Sequence, residues 1–224
     1  MRLSANFVMT LDGKIQGPGP GYWPIGSEAD LRLLLQLRAE SDVLIHGRMT
    51  ALGHDHVGRL KSAGFKALLQ EQQRQTPYNY LVLSAHPDEL LIKQIDPKDS
   101  GLRTILVTTE GAESGAGVPE GIEIWRLGET EVDLPALNER MQAQGWERAA
   151  LEAGPKLFGA YVTAGLVDDL YLTLAPKLFG TAFGTPTLIN GVLFSPEEVP
   201  RLELVTYVAS GDELHLHYRF KRDV

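Results

Sequence analysis

Apolar runs and amphipathic stretches alternate along most of this chain, which predicts an α/β protein with a mostly parallel central sheet and helices on both faces. The end of the chain departs from that rhythm. Leu202, Leu204, Thr206 and Val208 alternate with polar residues, as do Leu214, Leu216, Tyr218 and Phe220. Ser210-Gly211-Asp212 lies between them as a turn, so a C-terminal antiparallel hairpin extends the sheet. No linker-like segment divides the 224 residues, and a single domain over 1–224 is expected.

The elements follow in order. Leu3 to Leu11 reads as a first strand, and Gly17-Pro18-Gly19-Pro20-Gly21 as a loop, because alternating Gly and Pro support neither helix nor ladder. Ser27 can cap a helix, with Asp30 three residues on and Leu31, Leu34, Leu35 and Arg38 along one face. Asp42 to His46 is a short strand. Ser62 to Arg74 is helical and ends before Pro77. Strands are expected at Asn79–Ser84, Thr104–Thr108 and Ile122–Trp125. A helix at Asp133–Gln144 ends at Gly145, and Ala149–Leu151 is a buried strand. A helix from Pro155 to Ala164 stops at Gly165, and Asp168–Ala175 is the next strand.

Composition narrows the function. A net charge of −8 argues against a general nucleic-acid binder, which needs a basic excess. No apolar run approaches the roughly 20 residues that span a bilayer. The first residues lack a signal-peptide layout, and a cytoplasmic protein is expected. With no cysteine there is no disulfide, thiolate metal site or cysteine nucleophile. His54-Asp55-His56 lacks a third ligand, and His215 and His217 fall on the outward face of a strand, so no metal site is expected.

The chemistry concentrates where strands end. Leu151-Glu152-Ala153-Gly154-Pro155-Lys156-Leu157-Phe158-Gly159 is a strand running through a Gly-Pro turn into a helix. Such a turn aims free backbone N–H groups and a positive dipole end at a ligand, and suits a phosphate; it also suits a purely structural turn. Glu152 would point into the same crevice. Gly47-Arg48-Met49-Thr50 follows the apolar Val43-Leu44-Ile45; Arg48 offers a planar fork for a phosphate monoester and Thr50 a hydroxyl, though taken alone the segment also reads as a surface arginine at a strand end. Ser84 closes another apolar strand. Thr10-Leu11-Asp12-Gly13-Lys14-Ile15 reads as a strand end turning at Asp-Gly. Trp23 is either a core anchor or a cover for a flat ring. The C-terminal ends of parallel strands are where such folds bind ligands.

Taken in order, these segments resemble the reductase domain of bacterial riboflavin biosynthesis proteins, within the dihydrofolate-reductase-like fold. Leu37-Arg38-Ala39, Gly165 to Leu170 and Ala175-Pro176-Lys177-Leu178-Phe179-Gly180 add to the match, which covers nearly the whole chain. The resemblance implies a three-layer sandwich and NADPH-dependent reduction of 5-amino-6-(5-phosphoribosylamino)uracil to its ribitylamino form, by hydride transfer to the ribose C1′. It implies that Gly154, Pro155, Lys156, Leu157, Phe158 and Gly159 cradle the cofactor pyrophosphate, with Trp23, Thr50, His54 and Ser84 also at the cofactor and Arg48 at its 2′-phosphate. Asp12, Arg38, Glu152 and Lys61 are its substrate-side candidates. Glu152 and Lys14 are the candidates for a proton donor. It further implies a homodimer with C-terminal strands near the contact, and a small phosphorylated heterocycle as substrate.

One segment departs from the family. Its members carry an acidic run after the threonine corresponding to Thr50, where this chain reads His54-Asp55-His56-Val57-Gly58-Arg59-Leu60-Lys61. His54 replaces an acidic group, and Lys61 stands where an arginine would bind phosphate bidentately. Two alternatives therefore stay open. One is a reductase of a pterin or dihydrofolate-like ring anchored by Asp30. The other is a non-catalytic nucleotide-binding protein of the same fold.

Overall fold

Short apolar runs become strands, and each expected helix forms behind a capping residue, in the computed structural model, which describes residues 1–17, 23–53, 59–60, 62–74, 76–98, 101–112, 118–180 and 185–222. In chain order the elements are β1 (Arg2–Thr10), α1 (Glu28–Glu40), β2 (Val43–Gly47), α2 (Arg48–Leu52), α3 (Ala63–Glu71), β3 (Tyr78–Leu83), α4 (Glu89–Gln94), β4 (Leu102–Thr108), β5 (Ile122–Arg126), α5 (Leu134–Ala143), β6 (Arg148–Glu152), α6 (Pro155–Thr163), β7 (Asp169–Ala175), β8 (Leu202–Ser210) and β9 (Glu213–Phe220). The chain folds as two compact units. One holds residues 1 and 35–153, the other residues 2–34 and 154–224.

The first unit carries strands in the order β5-β4-β3-β2-β6, all parallel. Val43-Leu44-Ile45, Tyr80 to Leu83 and Ile105 to Val107 are buried along their length, as strands covered on both faces must be. Leu44, Phe65, Tyr80, Val82, Leu91 and Leu106 share one apolar cluster. Ser62, Asp88 and Asp133 cap α3, α4 and α5 by accepting from Phe65 N, Leu91 N and Ala136 N. The last carbonyls of α1 are not left bare. Arg74 donates to the Ala39 and Glu40 carbonyls, and the Tyr78 hydroxyl donates to the Arg38 carbonyl at 2.8 Å.

The second unit carries strands in the order β1-β7-β9-β8. β1 and β7 are parallel, and β9 runs antiparallel to both β7 and β8. Phe7 on β1 packs against Phe158 on α6 with ring centroids 4.7 Å apart. Gly159 allows a close approach, since a Cβ there would lie 3.2 Å from Ile189 Cγ2, tighter than an ordinary contact. Asp169, its side chain 1% exposed, is held by Arg2 and by His217 Nε2 at 2.7 Å. Glu213 accepts from the Ser27 backbone N–H at 2.7 Å and from its hydroxyl at 2.6 Å, fixing the residue that opens α1.

Three features differ from the sequence expectation. Arg48–Leu52 and Glu89–Gln94 are helical; both are too short to show a hydrophobic period. β8 is exposed along nearly its whole length rather than on one face, and its register shifts between Leu204 and Thr206, which breaks the alternation. The side chains of His215 and His217 are only 12% and 14% exposed, not outward in solvent. His215 Nδ1 bonds the Thr173 hydroxyl at 2.9 Å. At the junction into β7, Asp168 accepts from Leu3 N and Arg222, while Asp169 anchors Arg2 and His217.

Burial pushes the Asp169 carboxyl up, but Arg2 and His217 outweigh it and hold its pKa below the ordinary value. Its contribution is therefore complete above the unfolded aspartate pKa of about 3.9 and is lost as pH falls through the lower folded value. Asp169→Asn is expected to destabilise the protein by about 2–3 kcal/mol at neutral pH. Urea unfolding of both proteins should show that gap closing in strong acid.

Candidate functional site

The parallel strands of the first unit deliver polar residues to one edge at one level. Gly47 pairs in register with Leu83, Leu83 with Val107, and Val107 with Trp125. Arg48 and Ser84 are thus each one residue beyond the same rung on neighbouring strands. α2 starts at Arg48 and packs against α4 and the strands β2 and β3. Its cap residue Gly47 supplies no side-chain acceptor. Arg48 Nη2 pairs with Asp88, whose other oxygen accepts from Leu91 N at 2.9 Å to cap α4. The Leu91 N–H and Arg48 together hold the Asp88 carboxyl below its usual pKa. Ser84 is buried, with its N–H bonded to the Val107 carbonyl at 3.0 Å, and Thr50 is half-buried on α2. Beyond the ends of β3, β4 and β5 lies a cleft of about 590 Å³ lined by His86, Pro87, Thr109, Glu129 and Thr130 among others.

Beneath that edge is a buried polar network. The Arg38 guanidinium, fully buried near the end of α1, makes two 2.6 Å bonds to the Glu152 carboxylate. Glu152 Oε2 also lies 3.2 Å from His46 Nε2, and His46 Nδ1 lies 3.0 Å from the Tyr80 hydroxyl. His46 and Glu152 are register partners on β2 and β6, which brings their side chains to one face. Burial pushes the Glu152 carboxyl up, yet the Arg38 charge and hydrogen bonds, with His46, drive it well below the usual carboxylate range. Burial pushes His46 the other way, down, against the pull of Glu152. At neutral pH the network holds arginine, carboxylate and neutral imidazole.

The second unit gathers another set at the ends of β1 and β7. Asp12 accepts from the Thr10 hydroxyl at 2.5 Å, from Phe179 N at 3.2 Å and from Gly180 N at 2.8 Å. The Thr10 bond, with the two N–H groups, holds its carboxyl down to about 2. Gly13 turns at φ +78°, and the buried Lys14 Nζ donates to the Asp12 carbonyl at 2.8 Å. Trp23 is 44% exposed, meets the edge of Phe179, and has Lys177 Nζ 5.0 Å from its ring centroid. Gly154 caps α6 without a side-chain acceptor, and Pro155 fills the first helical position where no N–H is needed. Lys156 and Leu157 follow in that first turn, while Phe158 and Gly159 face the interior.

Arg48, Thr50, Ser84, Arg38 and Glu152 thus belong to the first unit, and Asp12, Lys14, Trp23 and residues 154–159 to the second. Arg38 and Glu152 bind each other, and Asp12 binds the β7 loop. His54 and Lys61 lie outside the described residues. The sequence reading missed His46 and Tyr80, because a His and a Tyr inside apolar strands look like ordinary core. It also missed Asp88, for which Pro87-Asp88-Glu89 ahead of an apolar run was a legible cap signal. Among the described residues no group of three His, Asp or Glu is placed to hold a metal ion, and no helix is long and apolar enough to cross a membrane.

Comparison with known proteins gives a consistent picture. Residues 2–216 match the RibD C-terminal domain family. A protein of Methanothermobacter thermautotrophicus named 2,5-diamino-6-ribosylamino-4(3H)-pyrimidinone 5′-phosphate reductase is 31% identical over 225 residues, 96% of this chain and 96% of that protein. One of the same name from Archaeoglobus fulgidus is 28% identical over 209 residues, covering 92% and 93%. The crystal structure of a pyrimidine reductase-like protein from Corynebacterium diphtheriae, 21% identical, shares the fold with a TM-score of 0.73 over 99% of this chain and 92% of that one.

Glu152→Ala leaves the buried Arg38 charge unpaired, and a loss of about 3–5 kcal/mol is expected in denaturant unfolding. Because the folded pKa of Glu152 is depressed, its contribution is complete above the unfolded glutamate value of about 4.3. The difference between the two proteins should stay flat from about pH 5 to 8 and shrink only as strong acid protonates the folded carboxyl.

Proposed function

This chain belongs to the RibD C-terminal domain family, and we propose that it uses NADPH to reduce the sugar of a phosphoribosylaminopyrimidine at ribose C1′. Its homologues make it an oxidoreductase of the riboflavin pathway. The observation that carries the finer reading is the common level of Arg48 and Ser84, each one residue beyond the Gly47–Leu83 rung. A guanidinium and two hydroxyls at the C-terminal edge of a parallel sheet suit the phosphorylated end of a dinucleotide.

When bound, the reduced nicotinamide supplies the hydride. The rest falls to this chain. Arg48 takes the 2′-phosphate, with Thr50 and Ser84 beside it. In the second unit, the first turn of α6 has N–H groups that suit a phosphate, and Trp23 presents a flat apolar face. Hydride addition to an opened imine needs a proton at nitrogen and the exclusion of water more than it needs a nucleophile. Glu152 is ionised and saturated by Arg38 and His46, so it holds no proton to give. Lys14 is the better donor: its ammonium is nearly buried, and one N–H goes to the Asp12 carbonyl. Asp12 then serves by holding the turn that carries Lys14.

The substrate is 5-amino-6-(5-phosphoribosylamino)uracil or its 2-amino counterpart. The names of the two archaeal relatives favour the 2-amino compound. Purified protein should oxidise NADPH with at least one of them; no turnover with either refutes the reading. Lys14→Met should lower kcat by about 100-fold with little change in the KM for NADPH. Arg48→Ala should raise the KM for NADPH about tenfold and leave that for NADH in place.

The same family reading gives a homodimer. Leu204, Val205, Tyr207 and Val208 on the edge strand β8 are 42–66% exposed, an apolar strip with unpaired backbone along it. Replacing Tyr207 and Val208 by Lys should turn a dimer into a monomer in sedimentation velocity runs.

A further inference from the structure

The geometry points to Asp88 as the residue that sets how strongly the site prefers a 2′-phosphorylated nucleotide over an unphosphorylated one, by holding the arginine that the phosphate needs. This rests on the reading above that Arg48 meets the 2′ position. Arg48 is not a free fork. Its Nη2 is committed to Asp88, and its Nη1 lies 3.5 Å from Met49 Sδ. Nor is Asp88 free to leave. One carboxylate oxygen takes Arg48, and the other caps α4 through Leu91 N at 2.9 Å, so the helix pins the charge in place.

A phosphate dianion arriving at Arg48 must share the guanidinium with this fixed anion and stand beside it. Like charges at that separation repel, and the arginine is already partly neutralised. A ribose 2′-hydroxyl meets the opposite situation. It is neutral, and it can donate to the carboxylate. Asp88 therefore lowers the affinity for the phosphorylated nucleotide and spares the other. Both partners are partly exposed, at 32% for Arg48 and 50% for Asp88, so the effect is moderate and falls with salt.

Asp88→Asn removes the charge and keeps an oxygen to cap α4, and Asp88→Ser does the same with a different side chain. Dissociation constants for NADP⁺, NAD⁺ and 2′,5′-ADP would be measured by calorimetry on both variants, on Arg48→Ala and on the parent. Both Asp88 variants should bind NADP⁺ and 2′,5′-ADP about fivefold more tightly with NAD⁺ unchanged, and the gain should shrink at about 0.5 M salt. If they leave the NADP⁺ to NAD⁺ ratio alone while Arg48→Ala lowers it, Asp88 has no such role and the assignment of Arg48 stands. Weaker NADP⁺ binding by the Asp88 variants would mean that the carboxylate positions Arg48 for phosphate, which overturns the proposal. If Arg48→Ala alters no constant, the reading of Arg48 itself falls, and the proposal with it.

Discussion

A fully buried guanidinium survives only with a partner that compensates its charge, and Arg38 has that partner in Glu152, which takes its Nε and Nη2. The rest of the first unit is arranged around this pair. Arg38 comes from the last turn of α1 and Glu152 from the last residue of β6; His46, from β2, leans on the carboxylate, and Tyr80, from β3, bonds the imidazole. One carboxylate thus ties a helix to three strands. A buried ion pair adds little net stability over an apolar replacement, because desolvation offsets most of the attraction. Its value is in specificity: no other register of β2 and β6 brings His46 and Glu152 side by side. The strand that ends at Gly47 is held to one level, and with it the start of α2 and Arg48.

This separates the roles of the two acids first considered for proton transfer or substrate contact. Glu152 sits where a catalytic carboxyl would be sought, just before a Gly-Pro turn. Yet a group whose ionised form is stabilised by two charge-assisted bonds and an imidazole has lost the property that makes an acid useful near neutral pH. Asp12 behaves alike: three donors hold its carboxylate, and its work is to join the Thr10–Lys14 turn to the loop at Phe179 and Gly180. Residues of a family signature that look chemical in one dimension can be those that hold the chemistry's scaffold in three.

Where periodicity and capping signals were strong, the sequence was enough. Strand positions followed from runs such as Val43-Leu44-Ile45 and Leu81-Val82-Leu83, and Ser62 and Asp133 marked the helices they cap. α2 and α4 escaped because five and six residues cannot display a helical period. The partners of Arg38 and Arg48 escaped for another reason. Each is far along the chain, at separations of 114 and 40 residues, and only tertiary structure decides which carboxylate a given arginine meets. The apolar alternation in the β8 sequence did not translate into a buried face, because the register shifts at Leu204–Thr206 and nearly every β8 residue is exposed.

A common pattern runs through the cations discussed. Arg38 is matched by Glu152, Arg48 by Asp88 and Lys14 by Asp12. On a chain of net charge −8, these pairings leave little positive field to draw a multiply charged nucleotide from a distance. On the proposed reading, affinity comes from short-range bonds made after arrival: the Arg48 N–H groups and the hydroxyls of Thr50 and Ser84. Bonds of that kind depend on position to within a fraction of an ångström. The buried network under β2 and β6 holds the strand that ends at Gly47, and with it the start of α2 that carries Arg48, while Asp88 takes a share of that guanidinium.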